Sequence, residues 1–237
     1  MDDFLKAVFD HIAWLRHKWA LYRQLFMEDP GLVETFNRRT GYVFHMFQWV
    51  LLDTVLLDLA KLLDRPGTPG RQNLSLERAI EKVAHKLEDE QENTLRASLN
   101  QIKEKHKAIM TERHKRLAHT DEAAALGAAD LPRLTLNLVD EAVRDILNLY
   151  NDILRAYDDS QAHFDIIDEE VEEHVALLLK VMERGNAKLD AEREERRQLW
   201  MKYRDGRVPP ENFDPGEAWT RRMRAREERD QGRTNAE

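Results

Sequence analysis

The chain has 237 residues, enough for one domain with a sizeable core plus an extension. Charged residues make up 35% while Gly and Pro number only 9 and 7, which favours helices with solvated faces over a turn-rich β fold, so an all-α protein is expected. The absence of cysteine excludes disulfides, thiolate metal sites and a cysteine nucleophile; a formal charge of -8 argues against a broad basic surface, so any RNA site has to be a local cleft.

Phe4, Val8, Ile12, Leu15, Trp19, Tyr22 and Phe26 recur at spacings of four and three, predicting a first helix with one apolar face that stops near Pro30-Gly31. A second helix is expected from about Leu32 to Leu63; between Tyr42 and Leu63 it is apolar over much of its circumference, as in a central element packed on several sides. Asp53, Asp58 and Lys61 interrupt that run, and the opening Met1-Asp2-Asp3-Phe4 lacks the basic and apolar regions of a signal peptide. A soluble, cytoplasmic protein without membrane association is therefore the expectation. Arg65-Pro66-Gly67-Thr68-Pro69-Gly70 reads as a loop, and Ser75 as the N-cap of a short helix carrying Leu76, Ile80, Val83 and Leu87.

A fourth helix is predicted from about Gln91 to His119, with Leu95, Leu99, Ile102, His106 and Ile109 in one stripe. Continuing that register leads to Arg113 and Arg116, so an apolar face turns cationic at its end. At about 100° per residue, Arg113, Arg116 and His119 spread over about 120° and share one broad side. Asp121 to Asp130 reads as a loop or frayed extension. A further helix starts between Thr135 and Val139 and carries Val143, Ile146, Leu149, Ile153 and Tyr157. A last one, from about Ala162, carries Val171, Val175, Leu178 and Met182 until Gly185-Asn186 ends or bends it. Residues 1–185 form the expected helical domain, and 186–237, dense in mixed charge, a helical or extended C-terminal arm.

The chemistry-bearing stretch is Arg113-His114-Lys115-Arg116-Leu117-Ala118-His119-Thr120-Asp121. A guanidinium stays cationic and grips phosphate oxygens through a planar fork, and an imidazole exchanges protons near neutral pH, so the two together suffice for RNA cleavage without a metal. Spacing alone does not single them out, because Arg39 and Arg38 with His45, and Arg78 with His85, have similar separations. The Arg113 instance alone has a polar His114, a small Ala118, the trailing Thr120-Asp121 and a place at the end of a long helix. Lys115 and Arg116 also suit the helix C-terminus, where the dipole and free carbonyls favour cations.

This stretch resembles the signature of the HEPN superfamily of all-helical proteins, an Arg followed a few residues later by His with a polar residue directly after the Arg. The fuller string is similar to the branch associated with bacterial abortive infection, where Arg-x-Lys-x-x-Ala-His-Ser/Thr-Asp is typical; Leu62-Leu63-Asp64 and Asn73-Leu74-Ser75-Leu76 resemble the same branch. The resemblance implies a HEPN-like helical bundle with a charged C-terminal extension, forming a homodimer in which two motifs face one cleft. It also implies a metal-independent endoribonuclease acting as a toxin or antiphage defence effector, with no cofactor and an antitoxin or defence-system protein as partner. Arg113 and His119 are then the catalytic residues, and His114, Arg116 and Asp121 supporting or RNA-binding ones. One subgroup carries, two positions after the histidine, a tyrosine that a nucleotidyltransferase modifies; Asp121 stands there, so control by that route is not expected. The alternative is the fold without the chemistry: a module binding RNA, a nucleotide or a protein partner, or a helical dimerisation scaffold.

Other constellations carry less. His106, His114 and His119 on one helix lack a carboxylate–His pattern and would splay as metal ligands, and His106 reads as a hydrogen-bonded core residue. Asp53 and Asp58 lie about 140° apart on their helix and read as surface or paired charges. There is no P-loop, Gly-x-Gly-x-x-Gly or Gly-x-Ser-x-Gly. Trp200, Tyr203, Phe213 and Trp219 alternate with arginines, but nearly balanced acidic residues favour a docked arm over a clamp on single-stranded RNA.

Overall fold

The computed structural model describes residues 2–38, 40–68, 70–117 and 134–204. Helix α1, Asp3–Phe26, is opened by Asp2, whose carboxylate accepts from the Phe4 amide, and its stripe Val8, Ile12, Leu15, Trp19 and Tyr22 is buried as the periodicity predicts. The expected single helix from Leu32 to Leu63 is instead two. Pro30, read as a stop, occupies the first turn of α2, Pro30–Asn37, behind an Asp29 side chain that accepts from the Gly31 amide at 2.8 Å. A proline at that position gives up no helical hydrogen bond, so the same residue ends one helix and starts the next. Helix α3, Gly41–Leu63, follows.

A short hairpin, β1 Gly67–Thr68 paired antiparallel with β2 Arg71–Gln72, occupies the expected loop. It relies on positive φ at Gly67 (117°) and Gly70 (84°), a region other residues rarely enter. Ser75 caps α4, Leu76–Val83, by accepting from the Arg78 amide, and a 3-10 turn Ala84–Lys86 leads on. Helix α5, Asp89–Lys105, opens on a capping box in which the Gln91 side chain reaches back to the Glu88 amide. The long helix predicted from Gln91 to His119 does not run straight. It breaks at His106 (φ -104°, ψ 22°), resumes as α6, Lys107–Glu112, and widens into a π turn over Arg113–Leu117. Helix α7, Leu136–Asp158, is capped by Thr135, inside the predicted starting window, and ends on Asp159 in the left-handed region.

The chain divides into two units, Met1–Leu179 and Lys180–Glu237. In the first, α1 packs on α3, and α7 packs against α1, α3, α4 and α5. Val55, Leu56, Leu59, Leu62 and Leu63 of α3 fill its core with Ile80, Val143, Ile146 and Ile153. Burial of each such side chain contributes about 1.5–3 kcal/mol, so these helices define the bundle. Two polar contacts fix its register: the Tyr150 hydroxyl donates to the Leu5 carbonyl, and Trp19 Nε1 to Asp140, both at 2.8 Å. Helix α8, Asp165–Arg204, begins in this unit with Val171 and Val175 buried, and its residues 180–204 are the described part of the second. Gly185-Asn186 does not end α8. A glycine costs about 1 kcal/mol against alanine in a helix, too little to stop one flanked by Glu, Arg, Ala, Lys and Leu.

One expectation about α3 is half met. Its C-terminal half is packed on several sides, but Tyr42, Val43, Met46, Phe47, Trp49 and Val50 are exposed.

Candidate functional site

Arg113 opens the π turn that continues α6. Its amide donates to both the Ile109 and Met110 carbonyls, a bond shared between the i−4 and i−3 acceptors as is common where an α-helix ends. Single π turns interrupt helices frequently at functional sites, because the extra residue re-aims the side chains beyond it. The even register of about 100° per residue expected across Arg113 and Arg116 therefore does not apply along this turn.

The turn packs against α3. There Asp64, the residue that caps the C-terminus of α3, brings Oδ2 to 3.5 Å from Arg113 Nη2, while its Oδ1 accepts from the Arg65 amide at 2.9 Å. Both side chains are part-buried, Arg113 at 24% and Asp64 at 28% exposed, so the pair is shielded from water yet open to a ligand. Asp64 is itself held. The Asn73 amide donates to the Pro66 carbonyl at 2.9 Å and its side chain to the Arg65 carbonyl at 3.0 Å, closing the hairpin behind the carboxylate. Leu62-Leu63-Asp64 and Asn73-Leu74-Ser75-Leu76, which the sequence marks only by likeness, thus form the base on which Arg113 rests. Composition and periodicity carry no sign of this contact, since 49 positions separate the partners.

His114 is exposed and its Nε2 lies 3.5 Å from Arg113 Nη1, so the adjacent imidazole and guanidinium share one rim. Arg116 is described in its backbone only, and His119 and Asp121 lie outside the described residues.

Seven residues before Arg113 the helix breaks at His106. This histidine is fully buried at the break between α5 and α6, and its Nε2 lies 2.8 Å from Asp145 Oδ2 on α7, as expected of a hydrogen-bonded core residue. Lys105 Nζ meets the same oxygen at 2.9 Å. Burial opposes the charge of Asp145, but hydrogen bonds from His106 and Lys105 outweigh it and hold the carboxyl below its ordinary value. A second charge cluster lies between α1 and α3, where Asp58, 5% exposed, meets Lys18 at 2.5 Å and Lys61 at 3.1 Å. Burial again disfavours the Asp58 charge, and the two lysines more than offset it, lowering its pKa. Asp58 is thus a paired charge, and a structural one.

A polar cleft of about 310 Å³ between α1 and α7 takes no residue from the π turn. Each of its three arginines faces a carboxylate: Arg16 that of Asp168, Arg23 that of Glu28 at 2.8 Å and Arg144 that of Asp140 at 2.6 Å. Among the described residues, no three His, Asp or Glu side chains converge as a metal site.

A profile of a HEPN-type family, HEPN_AbiU2, described as AbiU2, matches residues 1–178. No curated protein and no solved structure matches the chain.

Proposed function

Because this chain belongs to the AbiU2 family of HEPN-type, abortive-infection-associated proteins, we propose that it is a metal-independent endoribonuclease acting as a toxin or antiphage defence effector, with Arg113 and His119 as its catalytic residues. One observation carries the reading: the arginine of the Arg-x5-His stretch stands part-buried on a π turn, braced by a carboxylate from another helix. A guanidinium has five N–H donors, more than the single Asp64 oxygen facing it can take, so the brace leaves capacity to bind a phosphate.

The proposed reaction begins when the ribose 2′-hydroxyl attacks the adjacent phosphorus. A base takes the hydroxyl proton, the P–O5′ bond breaks, and an acid delivers a proton to the leaving 5′-oxygen. The products carry a 2′,3′-cyclic phosphate and a 5′-hydroxyl. His119 from the two subunits of a homodimer supplies the base and the acid. Charge growing on the nonbridging oxygens is stabilised by Arg113 more in the transition state than in the ground state, which is the condition for a rate gain. His114, Arg116 and Asp121 support the cleft or bind flanking RNA. RNA brings its own nucleophile, so the mechanism needs no metal, and DNA, without the 2′-hydroxyl, resists.

The test is incubation with mixed-sequence RNA in excess chelator, beside Arg113→Ala and His119→Ala proteins of unchanged helicity. Cleavage by the parent alone, leaving cyclic phosphate ends, is the expected result. Equal cleavage by the parent and both variants, or ends of another kind, overturns the assignment.

A further inference from the structure

Six large apolar side chains near the start of α3, Tyr42, Val43, Met46, Phe47, Trp49 and Val50, are between 46% and 79% exposed. By helical register they fall within an arc of about 160°, while Phe44, Gln48 and Leu51 lie outside it on the side where Gln48 Nε2 reaches the Tyr22 hydroxyl of α1 at 3.5 Å. The stripe therefore looks away from the bundle. Contiguous apolar patches of this kind on a folded chain mark interaction surfaces.

We propose that this stripe is a self-association surface, covered by the same stripe of a second copy of this chain. Three observations support that occupant. The exposed fractions amount to roughly 650 Å² of accessible area on these six residues per copy, against about 800 Å² a side in a stable interface, so the stripe supplies most of what a dimer needs. From Gly41 to Leu52 there is no Asp, Glu, Lys or Arg, so over this stretch two copies meet without opposing like charges even though the whole chain carries -8; Asp53 and Lys61 fall in the same arc only beyond it. Asp64 falls within the same arc by register, about 40° from Tyr42, so the stripe and the Arg113 turn that rests on Asp64 share one side of α3.

A lipid surface fits less well. Helix α3 is long and apolar enough to cross a membrane by length and composition, yet Val55, Leu56, Leu59, Ala60, Leu62 and Leu63 in its second half are at most 2% exposed inside the protein. Lys61 is its only Lys or Arg beside Asp53 and Asp58, whereas helices that lie on anionic membranes border their apolar face with cations.

The pairing deepens the homodimer of the proposed function by naming its surface, and it rests on that reading for orientation alone. For two motifs to share a cleft the two α3 helices must run in the same direction. In an antiparallel pair centred on Met46 the two Asp64 residues lie on the order of 50 Å apart, which no shared cleft can span.

The oligomeric state is measured without RNA: a dimer that survives substitution of the stripe overturns this surface and leaves the nuclease assignment standing, whereas a monomeric parent overturns both. Light scattering at micromolar concentration should give a dimer for the parent chain and monomers for Tyr42→Glu and Phe47→Glu, with helicity unchanged because both sites are exposed. A hot-spot loss is about 30-fold in dissociation constant, and the symmetry of the pair counts it twice, for about 1,000-fold. Ile166→Glu, at an exposed site on α8, should leave the dimer intact. A monomeric parent, a dimer that survives the Tyr42→Glu/Phe47→Glu double substitution, or a monomer that sediments with vesicles containing phosphatidylglycerol overturns the proposal, the last in favour of lipid. The chain has no cysteine, so Arg65→Cys carries a unique spin label; a label separation well below 50 Å is expected, and one near 50 Å overturns the same-direction arrangement.

Discussion

Asp145→Ala tests whether the buried contact beneath the π turn is structural. The substitution removes the acceptor 2.8 Å from Nε2 of His106, a side chain with no solvent exposure and with Nδ1 already lacking a hydrogen-bond partner among the described residues. A buried polar group left without its partner costs about 1–3 kcal/mol. Lys105 loses the same oxygen but is exposed and keeps Glu141 at 3.1 Å, so it adds little. A loss of about 2 kcal/mol follows, which in a unit of this size lowers Tm by about 4–8 °C. Urea unfolding followed by circular dichroism measures it. His106→Ala and the double variant complete a cycle in which the double costs about 1–2 kcal/mol less than the two singles together. The contact also lies at the break from which α6 and Arg113 project. RNA cleavage by Asp145→Ala should therefore fall further than its unfolded fraction explains, since a misplacement of about 1 Å can cost about 100-fold. An Asp145→Ala protein within about 0.5 kcal/mol of the parent, or a strictly additive cycle, refutes the reasoning.

Asp64→Asn keeps the shape but removes the charge facing Arg113; at a contact of 3.5 Å with both groups part-exposed it should cost under about 1 kcal/mol, while RNA cleavage drops at least about 10-fold through kcat. Unchanged kcat in a folded Asp64→Asn protein would show that the brace does not position Arg113. Stability should fall with acid in two stages, read as Tm from pH 7.5 to 3. Burial disfavours charge on His11 more than Asp58 favours it, so its folded pKa lies below the ordinary 6.5; the unfolded chain binds the proton first, and stability declines as pH falls from about that value. Asp58 and Asp145, lowered by their cationic partners despite burial, contribute stability that is present above the ordinary 3.8 and is lost as pH falls through their folded values. His11→Gln should flatten the first stage and leave the second; a first stage that persists in that variant excludes His11 as its source.

The sequence alone determined what depends on nearest neighbours along the chain. The stripe from Val8 to Tyr22, the Ser75 cap and the start of α7 at Thr135 follow from a fixed helical period and from capping, both local. The candidate stretch was legible for the same reason, since the Arg-x5-His spacing and its polar neighbours lie within nine residues. Local rules also misled where two meanings share one residue: Pro30 ends a helix and begins another, and Gly185 permits a break that its neighbours prevent.

Only the tertiary structure decided the rest. That His106, at the break between α5 and α6, has a partner depends on an aspartate 39 residues away, and that Arg113 has a brace depends on one 49 residues before it. No periodicity encodes such pairs, because a side chain's partner is set by how helices pack. The apolar run of α3 makes the same point. Its composition gives the amount of surface that avoids water, but only packing decides that one half meets the core while the other half is left bare.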